Sequence, residues 1–224
     1  FSPYGEVILE PDLPEYEYGT QVVLTPVDND MYHFVDWTGD VQPEFTTANP
    51  LALTVEGDKN LTANYERSMG SVEVQVIPEV AAWEITDSDG GVYTGSGDAT
   101  IPVLPTGDVS ITWVPLDGYD LPEPATTGQF LSRGDMIIFS GLYIRQRGIA
   151  LVYVTPVSAF WVVEDSDGAT YPGSGMMTLI DLPTGKLTIT YLPLNGYAQP
   201  ASESMILNAN STVVFNGVYL DIES

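Results

Sequence analysis

The sequence lacks cysteine and has very few basic residues, and each shortage excludes a class of chemistry. Without cysteine there is no disulfide bond and no thiolate metal site. Six lysines and arginines stand against 31 aspartates and glutamates, which gives a formal net charge of -25. A chain with so little positive charge cannot neutralise phosphates, so nucleic acid is excluded as a partner and an anionic membrane surface is disfavoured.

Long apolar runs and helical periodicity are also missing. No apolar stretch reaches the roughly 18 residues that a membrane span needs. The sequence starts at Phe1 without a charged-then-apolar leader, so we expect a mature or excised form whose signal or anchor lies outside it. Short strand-like runs separated by Gly, Pro, Asn and Asp predict an all-β protein. An acidic, cysteine-free composition of this kind is typical of secreted bacterial repeat proteins and predicts an extracellular or cell-surface location.

What the sequence does contain is a duplication. Gly70–Pro122 matches Gly148–Pro200 at a constant offset of 78 residues, and about half of the positions are identical. The shared positions are mainly turn glycines, prolines and aromatic residues. Repetition at this spacing predicts tandem modules, and we place them at residues 1–67, 68–146 and 147–224.

Short motifs inside the copies predict turns and strands. Asp-Ser-Asp-Gly at 87–90 and 165–168 separates two strand-like runs, which predicts a hairpin turn. Met136–Phe139 and Thr212–Phe215 are apolar on both faces, which predicts strands in the middle of a sheet. The linkers, at 66–69 and 145–147, are short, so neighbouring modules are expected at defined angles.

The first segment carries motifs of a known module. Trp37-Thr38-Gly39-Asp40 and the closing Thr62-Ala63-Asn64-Tyr65 stand in the order found in the divergent internalin-type B-repeat, which residues 1–66 resemble. The resemblance implies a small, mostly β, β-grasp-like module that serves bacterial surface proteins as a spacer or adhesion element. It carries over an architecture and no active site.

The two copies resemble, in turn, the PEGA-type surface-layer module. Leu104–Gly107 and Leu182–Gly185 give the Leu-Pro-x-Gly pattern before a long strand, whereas Pro78-Glu79-Val80-Ala81 replaces the Pro-Glu-Gly-Ala tetrapeptide. The resemblance implies transthyretin- or immunoglobulin-like β-sandwiches.

Nucleophilic catalysis has few residues available. The only histidine, His33, could join Asp36 or Asp40 in a Ser-His-Asp arrangement, but it also fits a plain strand. Strict alternation would place Phe34 on the face opposite Trp37. Because 31 acidic residues guarantee close carboxylate pairs, such pairs do not point to hydrolysis. We therefore predict that the chain is not an enzyme.

Calcium binding is a stronger chemical hypothesis. Hard cations take carboxylate and carbonyl oxygens, and each Asp-Ser-Asp-Gly motif places two carboxylates on one turn. The candidate ligands are Asp87, Asp89, Asp165 and Asp167. The alternative is a plain hairpin turn without a metal, and the chain shows no other cofactor motif.

Carbohydrate binding would use aromatic rings exposed on a sheet. The candidates are Trp83, Trp113 and Trp161. Trp83 and Trp161 recur at one repeat position, which also fits core packing, and Trp113 becomes Tyr191 in the second copy. The solvent exposure of the tryptophan rings separates carbohydrate binding from core packing, since buried indoles favour a spacer.

The composition and the repeat together predict a non-catalytic structural or adhesion segment of a secreted or cell-surface bacterial protein, acting as a spacer, stalk or fibre-forming element. Its expected partners are other extracellular modules or further copies of itself. The alternative is a carbohydrate-binding module of a secreted glycan-active protein, with glycans as partners, and a small hydrolase is a third interpretation.

Overall fold

The structure is a computed structural model that describes residues 3–222. It is all-β, as predicted. The chain forms two compact units, one of residues 1–113 with 123–141 and the other of residues 114–122 with 142–224. Each sheet in the described residues draws its strands from a single predicted module. The division into three modules itself stays a prediction. Within residues 3–222 no helix has the length and apolar character needed to cross a membrane.

The first unit begins with two small sheets. Their strands are β1 (Glu6–Glu10), β2 (Gln21–Val27), β3 (Tyr32–Gly39), β4 (Leu51–Thr54) and β5 (Leu61–Arg67), with a 3-10 helix at Pro43–Phe45. One sheet has the order β1-β2-β4 and the other pairs β3 with β5. Alternation along β2 buries Val22 and Leu24, which pack with Trp37 and Leu51.

A β-bulge in β3 overturns the strict alternation expected there. The register with β5 shifts between Phe34 and Asp36, so Val35 is the extra residue. The shift brings the Phe34 and Trp37 rings together, with centroids 5.3 Å apart. The prediction that these two rings lie on opposite faces is therefore wrong.

The first repeat copy forms two facing sheets. Its strands are β6 (Met69–Ile77), β7 (Ala82–Thr86), β8 (Val92–Ser96), β9 (Ala99–Pro105), β10 (Gly107–Trp113), β11 (Tyr119–Asp120), β12 (Thr126–Leu131), β13 (Met136–Leu142) and β14 (Ile144–Arg145). One sheet runs β12-β10-β7-β8, another β13-β6-β9, and β11 pairs with β14. Val72, Val74 and Val76 alternate inward along β6 and are buried, as their spacing predicts.

The second copy repeats this arrangement inside the second unit. Its strands are β15 (Arg147–Thr155), β16 (Phe160–Glu164), β17 (Thr170–Ser174), β18 (Met177–Pro183), β19 (Gly185–Tyr191), β20 (Tyr197–Ala198), β21 (Glu203–Leu207), β22 (Thr212–Val218) and β23 (Leu220–Asp221). The sheets run β18-β15-β22 and β17-β16-β19-β21, and β20 pairs with β23. Strands β15 and β22 are parallel. The core includes Trp161, Ile189 and Phe215.

The closing strands differ from the prediction. Both β13 and β22 lie at the edge of a three-stranded sheet, so the expectation of central positions is wrong. Their outward apolar residues are not covered by another layer: Val214 is 36% exposed and Val218 61%. Apolar residues on both faces of these strands therefore do not indicate burial on both sides, because the outer face is exposed to solvent.

Candidate functional site

The first aspartate of each Asp-Ser-Asp-Gly motif closes the hairpin turn. Asp87, between β7 and β8, is buried, and its Oδ1 accepts hydrogen bonds from the amides of Asp89 (2.9 Å) and Gly91 (2.7 Å). Its Oδ2 accepts a bond of 2.9 Å from the Tyr93 hydroxyl. This bond to a carboxylate, followed by burial, raises the pKa of Tyr93. Asp87 is thus a turn residue whose oxygens already have protein donors.

Asp165 plays the same part in the second copy. Its Oδ1 accepts bonds of 2.9 Å from the amides of Asp167 and Ala169, and its Oδ2 accepts a bond of 2.7 Å from the Tyr171 hydroxyl. The hairpin turns predicted from the motif are present in both copies.

The second aspartate of each motif binds an arginine from the strand that precedes the repeat. Arg67, the last residue of β5, donates from Nε to Asp89 Oδ2 (3.1 Å) and from Nη2 to Asp89 Oδ1 (2.8 Å). Nη2 also donates to Ser88 Oγ and to the Thr106 carbonyl, both at 2.6 Å, while Nη1 reaches Thr106 Oγ1 at 3.2 Å. The hydrogen bonds from Arg67 to the Asp89 carboxylate hold the pKa of Asp89 below its usual value.

The same guanidinium is anchored to the first segment. Its Nη1 donates to the Met31 carbonyl at 2.9 Å, and the group lies over the Tyr32 ring, 5.3 Å from the centroid. The Ser68 amide donates to the same Met31 carbonyl. The Arg67 side chain is only 13% exposed, so it sits inside the junction between β5 and the first repeat copy. We call the group of Arg67, Ser88, Asp89 and Thr106 the first arginine clasp.

A second arginine clasp is built from residues 78 positions further on. It consists of Arg145, Ser166, Asp167 and Thr184, all in the second unit. Arg145 Nη2 donates to Asp167 Oδ1 (3.0 Å), Ser166 Oγ (2.9 Å) and the Thr184 carbonyl (2.8 Å). Arg145 lies over the Tyr119 ring at 4.9 Å. Its hydrogen bonds lower the pKa of Asp167, as Arg67 does for Asp89.

Each arginine is also anchored to a loop of the segment that precedes its repeat copy. The two loops have the same geometry, although the two segments differ in sequence. Gly118 takes the place of Met31: its carbonyl accepts from Arg145 Nη1 (2.7 Å) and from the Gln146 amide (2.8 Å). Tyr32 is paired with Arg67 across β3 and β5, and Tyr119 is paired with Arg145 across β11 and β14. Two unrelated segments thus present one junction geometry.

The same backbone frame occurs a third time with an acidic residue. Tyr197 is paired with Asp221 across β20 and β23, and the Ile222 amide donates to the Gly196 carbonyl at 3.0 Å. Asp221 therefore occupies the position held by Arg67 and Arg145. In sequence the series reads Tyr65-Glu66-Arg67, Tyr143-Ile144-Arg145 and Tyr219-Leu220-Asp221.

Sequence reasoning missed the two clasp arginines. The signal was available, because the chain has only four arginines and two of them stand 78 residues apart, two residues after a tyrosine. Both positions fall in the predicted linkers, 66–69 and 145–147, and linker length carries no information about what a cation there will bind.

The four predicted calcium ligands lie on the two turns, where each has protein partners. Asp87 and Asp165 accept backbone amides and tyrosine hydroxyls, while Asp89 and Asp167 bind arginine. Within residues 3–222 no group of three or more histidine or acidic side chains is placed to hold a metal ion. Calcium at these turns stays a prediction.

The three tryptophans considered for sugar binding lie in the cores. Trp83 and Trp113 are each 3% exposed and lie opposite each other across β7 and β10, while Trp161 is fully buried and paired with Tyr191. The Trp83 indole donates to the Gly97 carbonyl at 2.9 Å and the Trp161 indole to the Gly175 carbonyl at 3.1 Å. None of the three offers a ring face to a ligand at the surface, and carbohydrate binding stays a prediction without them.

The histidine and its candidate acids are not brought together. His33 Nδ1 lies 3.2 Å from Ser68 Oγ, but Ser68 is only 1% exposed. Asp36 instead accepts a bond of 2.7 Å from the Asn64 amide group, and Asp40 accepts one of 2.8 Å from the Asn60 backbone amide. Both acids are used inside the β3–β5 sheet and its loop.

Comparison with known proteins supports the interpretation of the first segment. Residues 4–69 match the family described as the divergent InlB B-repeat domain, which confirms the resemblance seen in the sequence. A search of curated protein sequences finds no match. The likeness of the two copies to PEGA-type modules has no counterpart in these comparisons and stays a prediction.

Solved structures with similar architecture come from bacteria. The TIE protein of Bacillus anthracis is 14% identical with a TM-score of 0.48, over 99% of this chain and 58% of that one. The minor pilin GBS52 of Streptococcus agalactiae is 10% identical (TM-score 0.37; 69% and 97% covered), and the pilus adhesin SpaC of Lactobacillus rhamnosus GG is 9% identical (0.48; 90% and 36%). The chain thus spans 58% of the length of the TIE protein chain.

Proposed function

We propose that the chain is a non-catalytic structural segment of a secreted or cell-surface bacterial protein, in which successive β modules are held at fixed angles to form a spacer or stalk. The observation that carries the proposal is the arginine clasp, which is built twice from equivalent residues. The match of residues 4–69 to a B-repeat, a module of surface proteins, supports the setting.

The clasp suits a mechanical role because of the chemistry of its arginine. A guanidinium presents its donors in a rigid planar fork, so a bidentate carboxylate and several carbonyls fix its orientation as well as its position. Arg67 is a residue of β5, yet it bonds the turn between β7 and β8 and the residue between β9 and β10. It therefore resists bending between β5 and the first repeat copy.

The second clasp repeats this restraint further along the chain. Arg145 ties β14 and the Gly118 loop to the turn at Ser166 and Asp167, inside the second unit. The residues that recur between the copies thus form turns, hydrophobic cores and junctions. A spacer needs these features, whereas an enzyme needs a shared reactive group.

Charge supports the same role. The acidic residues are spread along the chain, with 13 in residues 1–66, 11 in residues 67–147 and 7 in residues 148–224. Dispersed charge of one sign keeps a chain soluble and opposes contact between its acidic surfaces.

The proposal is tested by measuring the rigidity of the first junction. Because the chain has no cysteine, spin labels can be attached at Glu56→Cys and Thr100→Cys, two exposed positions on either side of it. Double electron–electron resonance should give one narrow distance distribution. Arg67→Ala should broaden it, and Arg67→Lys should broaden it partly since lysine lacks the fork. The control Arg147→Ala, whose ion pair with Asp181 lies in the second unit, should leave it unchanged.

A distribution that is already broad in the parent chain would refute a stiff spacer. A narrow distribution that is unaffected by Arg67→Ala would leave the stiffness but remove the clasp as its cause.

A further inference from the structure

The outer face of the sheet β18-β15-β22 carries no net charge in a chain that carries -25 overall. Along β15 the residues Ile149, Leu151 and Tyr153 alternate with the buried positions and point away from the core. The parallel register sets them beside Thr212, Val214 and Asn216 of β22. The charged residues of the three strands are Arg147 and Asp181, which pair with each other at 3.6 Å.

The same face in the first copy shows that the fold does not require these side chains. The positions of Ile149, Leu151 and Tyr153 are there occupied by Ser71, Glu73 and Gln75 on β6, and Gln75 donates to the Glu73 carboxylate at 2.7 Å. Strand β13 beside them does carry exposed Met136 and Ile138. The central strand therefore changes from polar and acidic in the first copy to apolar in the second.

We propose that this outer face of the second copy is where two copies of the chain associate. Exposed apolar side chains on neighbouring strands mark an interaction surface when they form one patch. Ile149 is 37% exposed, Tyr153 38% and Val218 61%. A sheet face that presents an apolar stripe fits a second sheet of the same kind, related by a twofold axis.

Electrostatics selects a second copy as the occupant. Two chains of -25 repel each other wherever their carboxylates face one another, and this cost is absent only where both surfaces are neutral. A basic partner would instead be drawn to the acidic surfaces elsewhere on the chain. The neutral face thus fits a partner that is as acidic as the chain itself. The inference rests on the proposed function, because it gives the structural segment its partner.

The test replaces the outward residues of β15 in the second copy with the residues that β6 carries in the first copy. Sedimentation of the full chain over a wide concentration range should show a monomer–dimer equilibrium. The triple variant Ile149→Ser, Leu151→Glu, Tyr153→Gln places in β15 the residues that β6 already carries, and it should weaken dimerisation at least about tenfold. The matched control is Phe130→Ser, which removes another exposed aromatic, on β12, and should leave the equilibrium unchanged.

Salt gives a second readout. Because added salt screens repulsion between the acidic copies and does not weaken apolar contact, dimerisation of the parent chain should strengthen as ionic strength rises. A parent chain that stays monomeric at all concentrations and salt levels would overturn the inference, as would a triple variant that dimerises equally well. Glycan binding that is lost on Tyr153→Gln in a monomeric chain would assign the face to sugars instead. None of these outcomes alters the spin-label result at the first junction, which tests the proposed function separately.

Discussion

The Arg67 guanidinium donates to both carboxylate oxygens of Asp89, at 3.1 Å from Nε and 2.8 Å from Nη2. The two residues lie 22 positions apart, one at the end of β5 and the other in the turn between β7 and β8 of the first repeat copy. Arg145 and Asp167 repeat the arrangement. The recurrence of the Asp-Ser-Asp-Gly turn is therefore explained by its binding of an arginine from the preceding strand. The first aspartate shapes the turn and the second binds the arginine.

Removing the guanidinium should destabilise the first unit more than a surface ion pair would. Asp89 is 52% exposed, so the ion pair alone contributes little. Arg67→Ala, however, also removes the donors that reach the Met31 and Thr106 carbonyls in a buried setting. We expect a loss of about 2 kcal/mol, seen as a melting temperature lower by several degrees in scanning calorimetry.

The control is an ion pair without burial. Arg133 and Asp28 lie 3.4 Å apart with both side chains about half exposed, so Arg133→Ala should cost less than about 0.5 kcal/mol. Equal effects of Arg67→Ala and Arg133→Ala would mean that the clasp adds nothing beyond a surface contact.

The clasps should also set how the protein responds to acid. Hydrogen bonds from Arg67 and Arg145 lower the pKa of Asp89 and of Asp167 in the folded state. A carboxyl group with a lowered folded pKa contributes stability above its unfolded value of about 3.9, and this stability is lost as the pH falls through the folded pKa. Arg67→Ala should therefore return the pKa of Asp89, followed by NMR titration, towards its ordinary value.

The Asp167 titration in the same variant is the internal control for that experiment, since its arginine is intact. A lowered pKa of Asp89 that persists without Arg67 would show that another group causes the shift.

Much of the fold follows from the sequence because its signals are local. Alternation of Val72, Val74 and Val76 predicted an inward face of β6, and the Asp-Ser-Asp-Gly motifs predicted hairpin turns. The failures arose where an outcome depends on neighbours. The β3 bulge is fixed by its pairing with β5, and whether a strand such as β22 is central or at an edge depends on strand order, which side-chain pattern does not encode.

The junction was harder to predict for the same reason. Asp87 and Asp89 were recognised as an acidic pair, but a pair of carboxylates on a turn has the same sequence pattern whether its partner is a metal ion or an arginine. Arg67 is far from both in sequence and close only after β6, which follows it, pairs with β9 and Ser88 bonds the Thr106 carbonyl. Only the recurrence of an arginine 78 residues on, at Arg145, could have linked the two.

Calcium binding can be tested through competition with the clasp. An ion that uses Asp89 must displace Arg67 from the same carboxylate oxygens. If calcium binds there, it should raise the melting temperature of Arg67→Ala more than that of the parent chain, and a chelator should reverse the rise. Identical melting curves with calcium and with chelator, in both proteins, would end the hypothesis.

Two glycines should prove essential because an indole lies where their side chain would be. A Cβ on Gly95 would lie 2.7 Å from Trp83 Cη2, and one on Gly173 would lie 2.9 Å from Trp161 Cε2. Each tryptophan is buried and its Nε1 is bonded to a backbone carbonyl, so neither ring can move aside. Gly95→Ala and Gly173→Ala should each cost about 1–3 kcal/mol through overpacking, measured by calorimetry and near-ultraviolet circular dichroism.

Gly128 offers the matched comparison on a strand of the same protein. The nearest atom to a Cβ there is the Val109 carbonyl oxygen at 3.5 Å, an ordinary contact. Gly128→Ala should therefore be neutral or slightly stabilising, because alanine restricts the unfolded chain. A Gly95→Ala variant that melts like Gly128→Ala would show that the Trp83 ring is free to shift, and that the two glycines recur for some reason other than packing against the indoles.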